Sequence, residues 1–79
     1  MSEDIFIKIN KMRDLLNQNI INSKSNSDNI IKAKKIYNEI GIMLSIWTDD
    51  ENIKTLSEND KNDILNTSKL IIKKANDLL

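Results

Sequence analysis

The sequence predicts an all-α fold, specifically a small antiparallel three-helix bundle. The 79 residues include no proline and a single glycine, so the turn residues that an all-β domain of this size needs are missing. Apolar residues recur every three or four positions, which is the period of a helix with one buried face. Two polar segments, residues 22–29 and 48–60, divide the chain into three such stretches. Short connections between helices favour antiparallel neighbours.

The first helix is predicted over residues 3–22. Its buried face is expected to consist of five apolar residues: Ile5, Ile9, Met12, Leu16 and Ile20. The polar segment NSKSNSDN, residues 22–29, follows this helix. Serine, asparagine and aspartate side chains compete for backbone hydrogen bonds, so they favour caps and turns over helix interiors. This segment therefore ends the first helix.

The second helix is predicted over residues 28–47, with Ser27 or Asp28 as its N-cap. Its packing face is expected to include eight residues: Ile30, Ala33, Ile36, Tyr37, Ile40, Met43, Leu44 and Trp47. Gly41 lies inside this helix, where glycine is less favourable than alanine by roughly 1 kcal/mol. A glycine at such a position predicts either a close backbone approach by a neighbouring helix or a local bend.

Two helix-start signals occur in residues 48–60. Thr48 with Glu51 fits a capping box, and Ser57 with Asp60 is a weaker variant of it. We therefore expect a short helical turn after Thr48 and a last helix over residues 58–79. The apolar face of that helix comprises Ile64, Leu65, Ser68, Ile71, Ile72, Ala75, Leu78 and Leu79. A face this broad can pack on the first two helices of the same chain, or swap into a second chain.

The composition argues against several kinds of catalytic and metal-binding site. The chain has no cysteine and no histidine, so it lacks thiolate ligands, the commonest transition-metal ligand and the commonest general base. The run from Asp49 to Glu51 lacks the spacing of a calcium-binding loop, and acids early in a helix are explained by the helix dipole. We therefore expect no catalytic residues, no cofactor and no metal site, and a protein that is not an enzyme.

Charge and hydropathy bear on location and partners. Twelve basic and twelve acidic residues cancel, so no overall field attracts nucleic acid or an anionic membrane. No apolar run approaches the roughly 20 residues that span a bilayer, and the first residues lack a signal-peptide pattern. We expect a cytoplasmic protein. Fifteen isoleucines with no valine, twelve asparagines and eleven lysines suggest an AT-rich bacterial or phage genome.

An alternative function rests on two groups of lysines in the second and third helices. If they lay on one side of the bundle, they could bind phosphates, as sequence-independent nucleic-acid binding requires. Aromatic residues are not interleaved with them, so a solvated polar face is the preferred interpretation. The lysines concerned are Lys32, Lys34, Lys35, Lys69, Lys73 and Lys74.

Residues 9–16, INKMRDLL, and 29–40, NIIKAKKIYNEI, are two amphipathic segments joined by a polar loop. This pair resembles the helical hairpin of the small sporulation-regulating aspartyl-phosphate phosphatases. The second helix of that family carries a Ser-Gln-x-Leu-Asp signature that acts on a phosphorylated response regulator. Here residues 33–37 read Ala-Lys-Lys-Ile-Tyr, so the signature is absent. The resemblance covers under half of the chain and implies a response-regulator binder without phosphatase activity.

The chain has more apolar residues than a three-helix core needs, since each helix uses about three positions in seven. The surplus consists of Phe6, Ile7, Ile21, Ile42, Ile46 and Leu70. A contiguous exposed apolar group marks an interface. We therefore expect a non-enzymatic helical interaction module, such as a small bacterial or phage inhibitor, immunity or regulatory protein. It would bind another protein, or a second copy of itself as a homodimer, through Gly41, Ile42, Ile46, Phe6 and Leu70.

Overall fold

The computed structural model describes residues 4–49 and 55–79, and within them the chain forms three α-helices. Helix α1 spans Ile5–Asn22, α2 spans Ser27–Asp49 and α3 spans Glu58–Asp77. Each helix packs against the other two, which confirms the predicted three-helix bundle. The bundle measures 42 × 21 × 17 Å, and no described helix has a stretch long and apolar enough to cross a membrane.

Contacts between the helix ends define the directions of the helices. Phe6, early in α1, lies against Trp47 near the end of α2, with ring centroids 5.8 Å apart, so these helices are antiparallel. Asn19 Nδ2 donates to Asn76 Oδ1 at 2.9 Å. Both asparagines lie near the C-terminal ends of their helices, so α1 and α3 run parallel. Helix α3 therefore packs on the first two helices of its own chain.

The core follows the predicted apolar faces of all three helices. Its buried hydrophobic residues are Ile9, Leu16, Ile20, Ala33, Ile40, Leu44, Leu65, Ile72 and Ala75. In α3 the buried face is centred on Leu65 and Ile72, whereas Ile64 and Ile71 are only partly buried. The reason is that α3 contacts two helices at once, so the centre of its buried face lies between the two apolar lines.

Met43 departs from the prediction, because it is exposed rather than part of the packing face of α2. Each residue turns a helix by about 100°, so Met43 points well away from its buried neighbour Leu44. The core face of α2 is narrower than the sequence pattern predicts.

The predicted cap of α3 is confirmed, because the Ser57 side chain accepts a hydrogen bond from the Asp60 amide at 3.1 Å. The predicted caps of α2 are wrong by one or two residues. The Asn26 side chain accepts from the Asn29 amide at 2.9 Å, and Ser27 is already helical. Asparagine is as good an N-cap as serine or aspartate, so a polar run with several candidates does not define the first helical residue.

Thr48 was also predicted to cap a new helical turn, and this is wrong. It lies in the last turn of α2, where its hydroxyl donates to the carbonyl oxygens of Leu44 at 2.9 Å and Ser45 at 3.1 Å. The Thr48 hydroxyl therefore donates to carbonyl groups in the preceding turn of α2, as threonine hydroxyls often do within helices. The short turn predicted after Thr48 falls mainly on residues 50–54, which lie outside the described residues.

The cap assignment predicts different effects for two neighbouring substitutions. Asn26→Ala is expected to lower the free energy of unfolding by about 1 kcal/mol, because the Asn29 amide loses its acceptor. Ser27→Ala is the matched control and should change it by less than about 0.5 kcal/mol. Urea unfolding followed by circular dichroism measures both. A larger loss for Ser27→Ala would place the cap one residue later.

Candidate binding surfaces

Three of the predicted partner-binding residues are exposed, but they do not form one surface. Ile42 and Ile46 are 62% and 60% exposed and lie one turn apart on the outer face of α2. Leu70 is 61% exposed on α3. It follows the buried Ser68 by two residues, about 200° around the helix, so it points away from the core. A partner that covers the outer face of α2 therefore does not reach Leu70 as part of the same flat contact.

Phe6 has a different environment from the one predicted. Its side chain is half-buried, packs against the core and contacts Trp47. Two aromatic rings at this separation attract each other in addition to the area that they bury. Phe6 therefore covers one end of the core, and its remaining surface faces an open groove between α1 and α2.

Met43 completes an apolar cluster that sequence reasoning missed. It is 37% exposed and lies three residues before Ile46, and Ile42 lies four residues before Ile46. Residues three and four apart are neighbours on a helix surface. We refer to Ile42, Met43 and Ile46 as the α2 patch. The spacing of Met43 from Ile40 and Trp47 suits a core position equally well, so the sequence contains no signal for its exposure.

Arg13 bridges α1 and α2 in an arrangement that the sequence did not predict. Its guanidinium carbon lies 3.8 Å from the centroid of the Tyr37 ring. Its Nε donates to the Tyr37 carbonyl oxygen at 2.8 Å. One hydrogen bond and one cation–π contact therefore hold the same half-buried guanidinium on α2.

Gly41 provides the space for this guanidinium. A Cβ atom at position 41 would lie 2.7 Å from Cζ and 3.1 Å from Nε of Arg13, and it would collide with Nη2. The backbone of Gly41 does not have a positive φ. The nearest neighbour of Gly41 is therefore the side chain of Arg13, not the backbone of a neighbouring helix as predicted.

An open groove of about 570 Å³ lies between α1 and α2, beside Arg13 and Gly41. Its floor and walls combine apolar, hydroxyl, amide and charged side chains. The lining residues are Asp4, Phe6, Ile7, Asn10, Lys11, Arg13, Gly41, Leu44, Ser45 and Thr48. This volume is within the range of small-molecule sites in proteins.

The six lysines of the nucleic-acid alternative point in several directions. Lys32 and Lys35, three residues apart, and Lys69 and Lys73, four residues apart, are neighbours on their helices, whereas Lys34 lies about 200° around α2 from Lys32. All six are exposed. In α3, Lys74 likewise lies about 100° around the helix from Lys73. Lys34 and Lys74 point away from these pairs, so the six lysines do not all lie in one row.

The acidic run beginning at Asp49 lies largely outside the described residues, since Asp50 and Glu51 fall in the gap. Among residues 4–49 and 55–79, no three acidic side chains converge in a way that could hold a metal ion.

Comparisons with known proteins found no matching family model, no matching curated protein and no matching solved structure. The resemblance to the sporulation phosphatases therefore gains no support from them. At the position of that family's signature aspartate, this chain has Tyr37, whose ring lies under Arg13. The assignment of function accordingly depends on the surfaces of the bundle itself.

Proposed function

We propose that the protein is a non-enzymatic interaction module that binds another polypeptide stoichiometrically through the α2 patch. The observation that supports this is the exposure of three large apolar side chains on adjacent turns of one helix. Such a clustered group on a soluble domain is typical of a protein-binding surface. A small bacterial or phage inhibitor, immunity or regulatory protein would act in this way.

The energetics favour binding over a role of the α2 patch in folding. Ile42 and Ile46 keep most of their surface in water, so they contribute little to the stability of the isolated chain. Complete burial of an isoleucine side chain against a partner is worth roughly 1.5–3 kcal/mol. Two such residues one turn apart can therefore supply the apolar centre of an interface.

The surroundings of the α2 patch match the usual anatomy of an interface. Glu39, one turn before Met43, and Asp49, three residues after Ile46, are both exposed. Interfaces generally combine an apolar centre with a polar, solvent-accessible rim. These carboxylates would remain partly hydrated at the edge of the contact and would favour a partner with basic groups there.

A double substitution tests the proposal. Ile42→Lys with Ile46→Lys is expected to abolish capture of the partner from an extract of the native host, while the protein stays folded. Surface substitutions usually change stability by no more than about 0.5 kcal/mol each. Leu70→Lys is the matched control, because Leu70 is equally exposed on another helix. Retention of the partner by the double variant would exclude the α2 patch as the contact surface.

The oligomeric state decides whether the partner is a second copy of the chain. Size-exclusion chromatography with light scattering should give a monomer across micromolar concentrations if the α2 patch serves a different protein. A dimer that the double substitution dissociates would instead identify the partner as a second copy.

A further inference from the structure

We propose that the groove between α1 and α2 is a carboxylate-binding site, in which Arg13 receives the Asp or Glu side chain of an acidic polypeptide segment. The groove lies where α1 faces α2, whereas the α2 patch lies on the outer face of α2. The inference therefore goes beyond the proposed function and can fail independently of it.

The hydrogen bonding of Arg13 leaves part of its guanidinium available. A guanidinium has five N–H donors, and a carboxylate is recognised best by two parallel N–H groups. Nε is already committed to the Tyr37 carbonyl oxygen. Among the described residues, no hydrogen bond to Nη1 or Nη2 is present, and Arg13 lines the groove. The two terminal nitrogens thus form a fork with the geometry that a carboxylate requires.

The guanidinium is held in position before any ligand arrives. The Tyr37 ring supports one face of it, the Tyr37 carbonyl fixes Nε, and Gly41 accommodates Nη2. An arginine side chain normally loses considerable rotational freedom when it is immobilised on binding. Here folding has already restricted the rotation of the Arg13 side chain. A ligand that hydrogen-bonds to it therefore binds with a smaller loss of side-chain entropy.

The charges and apolar residues of the groove favour an acidic peptide. Of the charged lining groups, Asp4 accepts a hydrogen bond from the Phe6 amide, and Arg13 supplies the positive charge that a carboxylate would meet. Phe6, Ile7 and Leu44 add apolar surface beside them. A carboxylate flanked by apolar side chains matches this combination better than a bare inorganic anion, which would use only the charged part of the groove.

Arg13 is the only arginine in the chain, so its Nε–H gives a single, unambiguous nuclear magnetic resonance signal. The test titrates the labelled protein with acetyl-Leu-Glu-Leu-amide, with acetyl-Leu-Gln-Leu-amide and with inorganic phosphate at matched ionic strength. The glutamate peptide should shift the Arg13 Nε–H and Gly41 amide signals saturably. The glutamine peptide should bind about tenfold more weakly or not at all, because it lacks the charge.

Variants separate this site from the α2 patch. Arg13→Lys keeps the positive charge but loses the two parallel N–H donors of the guanidinium. It should therefore weaken binding of the glutamate peptide about tenfold, as measured by the shift of the Gly41 amide signal. Ile42→Gln with Ile46→Gln, which adds no charge beside the groove, should leave that binding unchanged even if it abolishes partner capture. If Arg13→Lys fails to fold, the comparison of the glutamate peptide with the glutamine peptide still tests the proposal, because it uses the unmodified protein.

Three results would overturn the proposal. One is the absence of a saturable shift with the glutamate peptide, and another is equal binding of the glutamine peptide. The third is tighter binding of phosphate than of the glutamate peptide, which would assign the groove to phosphate groups instead.

Discussion

Leu16→Ala is expected to lower the free energy of unfolding by about 3–4 kcal/mol, since leucine-to-alanine changes in cores cost about 2–5 kcal/mol. Leu16 is 0% exposed and is one of the two largest fully buried side chains among the described residues. The substitution removes apolar contacts and leaves a cavity that the surrounding helices fill only partly. Small domains have a total stability of about 5–15 kcal/mol, so this variant should lose a large share of it. Urea unfolding followed by circular dichroism gives the value.

The adjacent residue provides a matched control. Leu15 has the same side chain and lies in the same helix, but it is 65% exposed. Leu15→Ala should therefore change the free energy of unfolding by no more than about 0.5 kcal/mol. Comparable losses for the two variants would show that α1 is rotated relative to its described orientation.

Gly41→Ala is expected to have opposite effects in two backgrounds. In the unmodified protein it should destabilise by about 1 kcal/mol. Inside a helix, alanine is more favourable than glycine by roughly 1 kcal/mol. Displacing Arg13 from Tyr37 loses a charged hydrogen bond worth about 1.5–3 kcal/mol and a cation–π contact worth about 0.5–1 kcal/mol. The combined loss is about 2 kcal/mol, at the lower end of these ranges, because the guanidinium is only half-buried.

With Arg13→Ala already present, the same Gly41→Ala change should stabilise by about 1 kcal/mol, because only the propensity gain remains. The double-mutant cycle therefore has an expected coupling of about 2 kcal/mol. Ser45→Ala, one turn further along α2 and also lining the groove, is the control and should show little coupling to Arg13. If Gly41→Ala stabilises both backgrounds equally, the guanidinium does not occupy the space beside Gly41.

Much of the fold could be predicted, because helix periodicity and capping act between residues close together in the chain. The apolar spacing identified all three helices, and the observed boundaries differ from the predicted ones by at most two residues. The cap at Ser57 is predictable because Ser57 and Asp60 have the spacing of a capping box, and both lie at the start of the same helix. At the start of α2 the same local rules failed because several polar residues compete for one cap, and at Thr48 they failed because the hydroxyl bonds to carbonyl groups of the preceding turn.

The candidate site could be predicted only in part. Ile42 and Ile46 were recognised as surplus because they fall outside the heptad positions that a core uses. Phe6 also fell outside them, yet it packs on Trp47, which lies on another helix. Nothing in the spacing of Phe6 could indicate that a ring from α2 would be within reach.

The local pattern of residues determined that this protein is a helical bundle with more apolar surface than its core uses. Tertiary packing decided which surface is exposed and how Gly41 is used. Arg13 reaches a carbonyl group 24 residues away, a contact that depends on the relative depth and rotation of α1 and α2. Helical periodicity arises from interactions three and four residues apart, whereas this contact arises from the packing of whole helices. The sequence therefore marked Gly41 as unusual, and only the folded chain showed that its missing side chain makes room for Arg13.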